Sequence, residues 1–240
     1  MKSLHFSVID STNTYLLNHY EDLENITFVS ADLQTAGKGR NQRKWQSENG
    51  VNLLFSLLIK ERSLLEKFKA VSAAAGLSVA QAIESYGIRN VALKWPNDVY
   101  VSGKKITGIL LQGISHEQLD CIVVGIGINV NQENYEGEYK RKPTSLALEL
   151  GHKVDLDEFK ASVYAHLISN LELLQQGTDL VPAVQKYDYL KGMNCWAELD
   201  GERKQIRVIG INSEYELDVE TDGMIRSVAS GEISFHSEEI

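Results

Sequence analysis

Four short segments of this sequence carry residue types that handle anions and activated carbonyl or phosphoryl groups. The first is Gln34-Thr35-Ala36-Gly37-Lys38-Gly39-Arg40-Asn41-Gln42-Arg43-Lys44-Trp45, with four cations in the seven positions from Lys38 to Lys44. Gly37 and Gly39 bracket the first of them, and a backbone without Cβ atoms approaches a ligand closely. Such a loop suits a polyanion such as a triphosphate, although a basic stretch of this length read alone is a solvated surface loop. It is not a P-loop, because the GxxxxGKS/T pattern is absent and no helix follows directly. The second segment is Lys94-Trp95-Pro96-Asn97-Asp98. Alternation puts Val91, Leu93 and Trp95 on one face of a strand and Lys94 with Ala92 on the other. Pro96 ends the ladder and brings Asn97 and Asp98 out at its end. A lysine in an apolar strand needs a partner, so Lys94 reads equally as a structural ion pair with Asp98 or as a catalytic cation. Asn97 and Asp98 also read as plain turn residues.

The third segment, Gly103-Lys104-Lys105-Ile106-Thr107-Gly108-Ile109-Leu110, starts a strand with Lys105 on the face of Thr107, Ile109 and Leu111. A lysine there also reads as a snorkelling edge residue. Gly108 is the sharper signal, since a mid-strand glycine marks a bulge or a close approach. The fourth is Gly125-Ile126-Gly127-Ile128-Asn129-Val130-Asn131. It is not a dinucleotide fingerprint, because Val130 stands where the third glycine belongs and no amphipathic helix follows. Asn129 and Asn131 suit a base or ribose, or the closing of a turn; a charged loop, residues 132–142, follows.

Positioning these segments requires a sheet. Strands are expected over residues 26–32, 51–59, 91–95, 105–112 and 119–129, most of them apolar on both faces, which implies burial on both sides. Asp10 or Ser11 caps a short helix carrying Tyr15, Leu16 and Tyr20. Helical spacing runs from Phe68 to Tyr86 and ends at Gly87. A second long helix covers residues 156–176, with Asp155 and Glu158 at its start and Gly177 at its end. Short strands then follow over residues 193–199, 204–212, 215–220 and 224–228, with Asp200-Gly201 and Asp222-Gly223 as hairpin turns. That texture predicts a small β-barrel appended to an α+β body.

The formal net charge of −9 over 240 residues disfavours nucleic acid as the main partner. With two cysteines, Cys121 and Cys195, no CxxC and no HExxH, a zinc site has no support. No segment has the length of a signal peptide's apolar run or of a membrane span, so a cytoplasmic location is expected.

Each segment is weak alone, but their order and spacing are specific. Ser11-Thr12-Asn13, QTAGKGRNQRKW, KWPND, KITGI and GIGINVN resemble, from end to end, the catalytic domain of the biotin–protein ligases. The β-rich tail resembles the SH3-like C-terminal domain of that family. The resemblance implies an α+β fold, a mixed β-sheet covered by helices in residues 1–188 with a small SH3-like β-barrel in residues 189–240. It is a resemblance to the ligase-only form, because there is no room before Ser11 for the winged helix of the biotin repressor–ligases.

The chemistry so implied is attack of the biotin carboxylate on the α-phosphate of ATP, giving biotinyl-5′-AMP and pyrophosphate. A lysine of a biotin carboxyl carrier protein then takes the biotin. By motif match, biotin falls to Ser11, Thr12, Asn13, Gln34, Gly37, Lys38, Gly39, Arg40, Trp45, Lys105 and Gly108. ATP or AMP falls to Arg40, Arg43, Lys94, Asn97, Lys105, Asn129 and Asn131, and the catalytic roles to Lys105, Arg40 and Asp98. Lys38 and Arg40 fold over the ligands, while Asp98 either holds Mg²⁺ or orients the incoming lysine. Lys38, Asn41 and Gln42 depart from the family's GRGRRGR-like loop, and lysine at 38 lacks the guanidinium fork. The resemblance is compatible with a homodimer. Rival readings are a lipoate or octanoyl transferase of the same architecture and a non-catalytic biotin-responsive protein. KWPND, Lys105–Gly108 and the β-rich tail favour biotin over the first. Lys105 and Asp98 argue against the second, and Cys121 reads as core rather than as an acyl-carrying thiol.

Overall fold

The computed structural model describes residues 2–40, 43–135, 139, 142–230 and 233–235. Asn41 and Gln42, and much of the charged loop after Asn131, lie outside them. Twelve strands and six helices are found among the described residues. They run β1 (Lys2–Ile9), α1 (Thr12–His19), β2 (Thr27–Gln34), β3 (Leu53–Ile59), α2 (Arg62–Leu65), α3 (Phe68–Ser85), β4 (Val91–Lys94), β5 (Asp98–Val101), β6 (Lys104–Ser115) and β7 (Leu119–Ile128). There follow α4 (Leu146–Leu150), α5 (Leu156–Gln175), α6 (Val181–Gln185), β8 (Asn194–Leu199), β9 (Glu202–Ile211), β10 (Leu217–Thr221), β11 (Met224–Val228) and β12 (Ile233–Phe235). None of the described helices is long and apolar enough to cross a membrane.

The first seven strands form one mixed sheet in the order β1-β2-β3-β7-β6-β5-β4. Only β1 and β2 pair in parallel. Period-2 alternation divides the central strands between two layers. Phe28, Leu57, Ile122 and Val124 face the main core with α3 and α5, whereas Val29, Leu58, Cys121 and Val123 face a smaller cluster with Leu16 of α1. Both faces therefore carry a packed cluster, as the uniformly apolar strands require. The helix ends follow their sequence signals. Ser11, not Asp10, caps α1 by accepting from Thr14 N. Asp155 accepts from the backbone of Asp157 and Glu158 at the start of α5, a cap worth about 1 kcal/mol. Gly177 beyond its end takes φ +83°.

The second sheet corrects the expectation of a barrel. Its five strands are antiparallel in the order β11-β10-β9-β8-β12, and it is neither closed nor curled, unlike an SH3-like β-barrel. Closely spaced hairpins dictate a meander, and the turns at Asp200-Gly201 and Asp222-Gly223 do adopt positive φ as expected. Closure needs the terminal strands to pair as well. Here β11 and β12 lie on opposite edges, since β12 pairs with β8 and β11 with β10. Hydrogen bonds that tie this sheet to the first unit include Trp95 Nε1 donating to Tyr215 O at 3.2 Å and Gln185 Nε2 donating to Ile211 O at 2.6 Å.

Candidate active site

The face that α1 shares is only partly covered by that helix. At its first turn and beyond, the side chains on that face shrink: Ser56 on β3 pairs with Gly125 on β7, and Gly127 on β7 with Gly108 on β6. A cavity of about 350 Å³ opens there, of the size expected for a small-molecule site. A Cβ at Gly127 would stand 2.5 Å from Trp45 Cε2, one at Gly108 2.8 Å from Trp45 Cζ3, and one at Gly125 2.1 Å from Asn13 Oδ1. The glycines thus let the Trp45 indole and the Asn13 amide lie directly on the sheet. The Trp45 indole N–H is buried there and has no hydrogen-bond partner.

One end of the cavity is a polar network. Gln34 Oε1 accepts from Thr12 N at 2.8 Å and from Thr12 Oγ1 at 3.1 Å. Thr12 Oγ1 and Ser56 Oγ lie 2.7 Å apart, and Ser56 Oγ donates to Asn13 Oδ1 at 2.5 Å. Asn13 Nδ2 in turn donates to Gln112 Oε1 at 2.9 Å. Asn13 is therefore a buried node that holds its neighbours in register. Ser56 and Gln112 escaped the sequence reading; the signal for Ser56 was a lone hydroxyl inside the run Leu53–Ile59.

The other end is cationic. Lys38, Arg40, Arg43, Lys44, Lys94 and Lys105 line the cavity against a single carboxylate among the described residues, Asp98. On a chain of net charge −9 this concentrates positive potential where an anion would sit. Residues 37–40 pair back on residues 43–45, with Trp45 N donating to Gly37 O at 3.0 Å and Gly39 N to Arg43 O at 2.7 Å. Arg40 reaches away from that pairing: Nη1 donates to Asn97 Oδ1 at 3.0 Å and Nη2 to Ser230 Oγ at 2.7 Å. Asn97 is itself fixed, its Nδ2 donating to Ile109 O at 2.8 Å.

Lys105 Nζ lies 2.6 Å from Asp98 Oδ1 and 5.8 Å from the centre of the Trp45 ring. The ion pair seen at Asp98 is therefore with Lys105, rather than the pair with Lys94 weighed from sequence; Lys94 Nζ stands 5.2 Å over the Tyr100 ring. The bulge expected near Gly108 falls at Ile106, where the β5–β6 register slips between Val99 and Tyr100. The extra residue breaks the alternation that would set Lys105 and Gly108 on opposite faces. Lys105 Nζ comes within 3.3 Å of where a Gly108 Cβ would be. The expected shared face of Lys105 with Thr107 and Ile109 is thereby lost, and Thr107 and Ile109 are buried.

Ser11, Thr12, Asn13, Gln34, Lys38, Gly39, Arg40, Arg43, Trp45, Lys94, Asn97, Asp98, Lys105 and Gly108 all border this one cavity. Gly37 is not in that lining, and its carbonyl accepts from Trp45 N. Asn129 and Asn131 are not brought to its lining. Asn129 Nδ2 donates to Thr144 O at 3.0 Å, and the Asn131 amide donates to Val154 O and accepts from Val154 N, both at 2.9 Å. No cluster of three or more metal-ligating side chains occurs among the described residues.

Such a fold and site define the acyl-ligating class. The chain belongs to the biotin/lipoate A/B protein ligase family, whose pattern matches residues 5–129. Within it, the bifunctional ligase/repressor BirA of Escherichia coli K12 is 32% identical over 237 residues, covering 97% of this chain and 73% of that protein. The biotin–[acetyl-CoA-carboxylase] ligase of Paracoccus denitrificans is 33% identical over 162 residues, 62% of this chain and 65% of that protein. The structure of the Aquifex aeolicus biotin protein ligase in complex with biotin and ATP superposes with a TM-score of 0.86 at 29% identity, covering 98% of both chains.

Proposed function

We infer that this protein is a biotin–protein ligase, which joins biotin to ATP as biotinyl-5′-AMP and passes the biotin to a lysine of a carrier protein. The observation that carries this is one cavity with a hydrogen-bonding end at Thr12, Asn13 and Gln34 and a cationic end at Arg40 and Lys105. A bicyclic urea offers two N–H donors and a carbonyl acceptor to the first end, and its carboxylate tail points to the second. In the first step a carboxylate oxygen attacks the α-phosphorus and pyrophosphate leaves. In the second the carrier's lysine amine attacks the acyl carbonyl and AMP leaves with the bridging oxygen. No enzyme nucleophile is needed, so the residues contribute positioning and charge stabilisation.

Lys105 sits where carboxylate and α-phosphate oxygens meet and offsets their combined charge. Lys38 and Arg40 close over the mixed anhydride and shield it from water. Lys94 and Arg43 neutralise the phosphates. Asn129 and Asn131 shape the adenosine end through the backbone at Thr144 and Val154 that they hold. Asp98, the lone carboxylate of the lining among the described residues, is the residue that would hold Mg²⁺ entering with ATP, since Mg²⁺ needs few protein carboxylates beside phosphate oxygens. There Mg²⁺ would supply further neutralisation of the phosphates. A cytoplasmic setting, with ATP and carrier at hand, fits this chemistry.

The hydrogen-bonding end favours biotin over lipoate, whose dithiolane offers that end neither N–H donors nor a carbonyl acceptor. Incubation with ATP, Mg²⁺ and either biotin or lipoate, followed by mass spectrometry, tests this. The biotinyl adenylate alone is expected; a lipoyl adenylate in comparable yield would overturn the assignment.

A further inference from the structure

We propose that Ser230, in the connection between β11 and β12, is a positioning residue for Arg40, so that the C-terminal sheet takes part in the ligation itself. The proposal rests on the lid role given to Arg40 above. The Arg40 guanidinium is held at two points of its fork. Asn97 accepts from Nη1 at 3.0 Å and Ser230 Oγ accepts from Nη2 at 2.7 Å. A planar guanidinium held at both ends has its position and its plane set together. One anchor belongs to the turn after β4 and the other to the C-terminal sheet, 190 residues along the chain from Arg40.

The Ser230 anchor is itself supported. Ser230 bridges to Ile233, and Ile233 lines the same cavity as Arg40. The sheet that carries them is tied back beside the site, with Trp95 Nε1 donating to Tyr215 O and Lys69 pairing with Glu216 at 2.5 Å. Ser230 is exposed, so its hydroxyl has no part in a core, and its replacement tests the contact rather than the fold.

The experiment measures release of biotinyl-5′-AMP, and kcat and KM for ATP, in five proteins: the natural chain, Ser230→Ala, Ser230→Thr, Arg40→Ala and the double variant Ser230→Ala/Arg40→Ala, which completes a cycle. Loss of one hydrogen bond to a charged group should speed adenylate release about tenfold and raise KM for ATP more than it lowers kcat. Ser230→Thr keeps the hydroxyl and should stay within about twofold of the natural chain. In the Arg40→Ala background, Ser230→Ala should add nothing, because the two share one interaction. An equal effect of Ser230→Ala with and without Arg40 overturns the proposal, as does unchanged release in Ser230→Ala while Arg40→Ala leaks. If Arg40→Ala itself does not leak, the lid reading falls first and this proposal with it.

Discussion

Lys105→Ala takes away the ammonium that lies 2.6 Å from Asp98 and beneath the Trp45 ring. Its cost to folding is small. The two side chains keep 37% and 22% of their exposure, so their ion pair is partly solvated and contributes about 0–1 kcal/mol. For a chain of this length, 1 kcal/mol shifts Tm by about 2–4 °C. Its cost to chemistry is far larger. Removing one preorganised charge-stabilising group typically lowers kcat by about 10²–10³, or roughly 3–4 kcal/mol. The assay is pyrophosphate release from saturating biotin and ATP, with thermal melting of the same samples. We predict a melting point within a few degrees of the natural chain and adenylation lowered by at least two orders of magnitude. A folded Lys105→Ala protein with near-normal pyrophosphate release would refute the reasoning.

Arg40→Gly should weaken retention of the adenylate, seen as biotin on bystander lysines of an unrelated protein; unchanged leakage counts against the lid. Gly127→Ala drives a methyl into the Trp45 indole, 2.5 Å away, and should weaken biotin binding about tenfold, as overpacking of a tight site costs about 1–3 kcal/mol. Calorimetric titration with biotin checks this, and an unaltered affinity would remove Trp45 from the pocket wall. Cys121→Ala should leave ligation intact. The thiol is fully buried, and that burial raises its pKa, so it is protonated at neutral pH and becomes less reactive still as pH falls. Loss of transfer in a folded Cys121→Ala protein would instead point to an acyl-thioester route.

Much of the fold was legible because local signals and tertiary demand agreed. The apolar runs at Leu53–Ile59 and Leu119–Ile128 are central strands, Asp155 caps α5 and Gly87 ends α3's last turn. β1 was missed because its burial alternates irregularly along an edge strand, and β5 because Asn97 and Asp98 read as a turn. The barrel was misjudged because hairpin spacing reveals neighbours in a meander but not whether its outer strands meet.

The site divides the same way. Lys38, Arg40, Lys94, Asp98 and Lys105 announced themselves as charges in glycine-rich or apolar settings, and one cavity does gather them. The partners did not follow from spacing. Lys105 finds Asp98 only because the bulge at Ile106 turns it, a local break of alternation that periodicity cannot foresee. Ser56 and Gln112 meet Asn13 through sheet register, and Ser230 meets Arg40 through the packing of one sheet beside another.

The route of a single oxygen atom tests the central claim most directly. Biotin labelled with ¹⁸O in its carboxylate is incubated with the protein, ATP, Mg²⁺ and an acceptor carrier domain, and the products are weighed. If the carboxylate attacks the α-phosphorus beside Lys105, the released AMP carries one ¹⁸O and the pyrophosphate carries none. Label in pyrophosphate or orthophosphate, or biotinylated carrier formed with unlabelled AMP, would contradict the account.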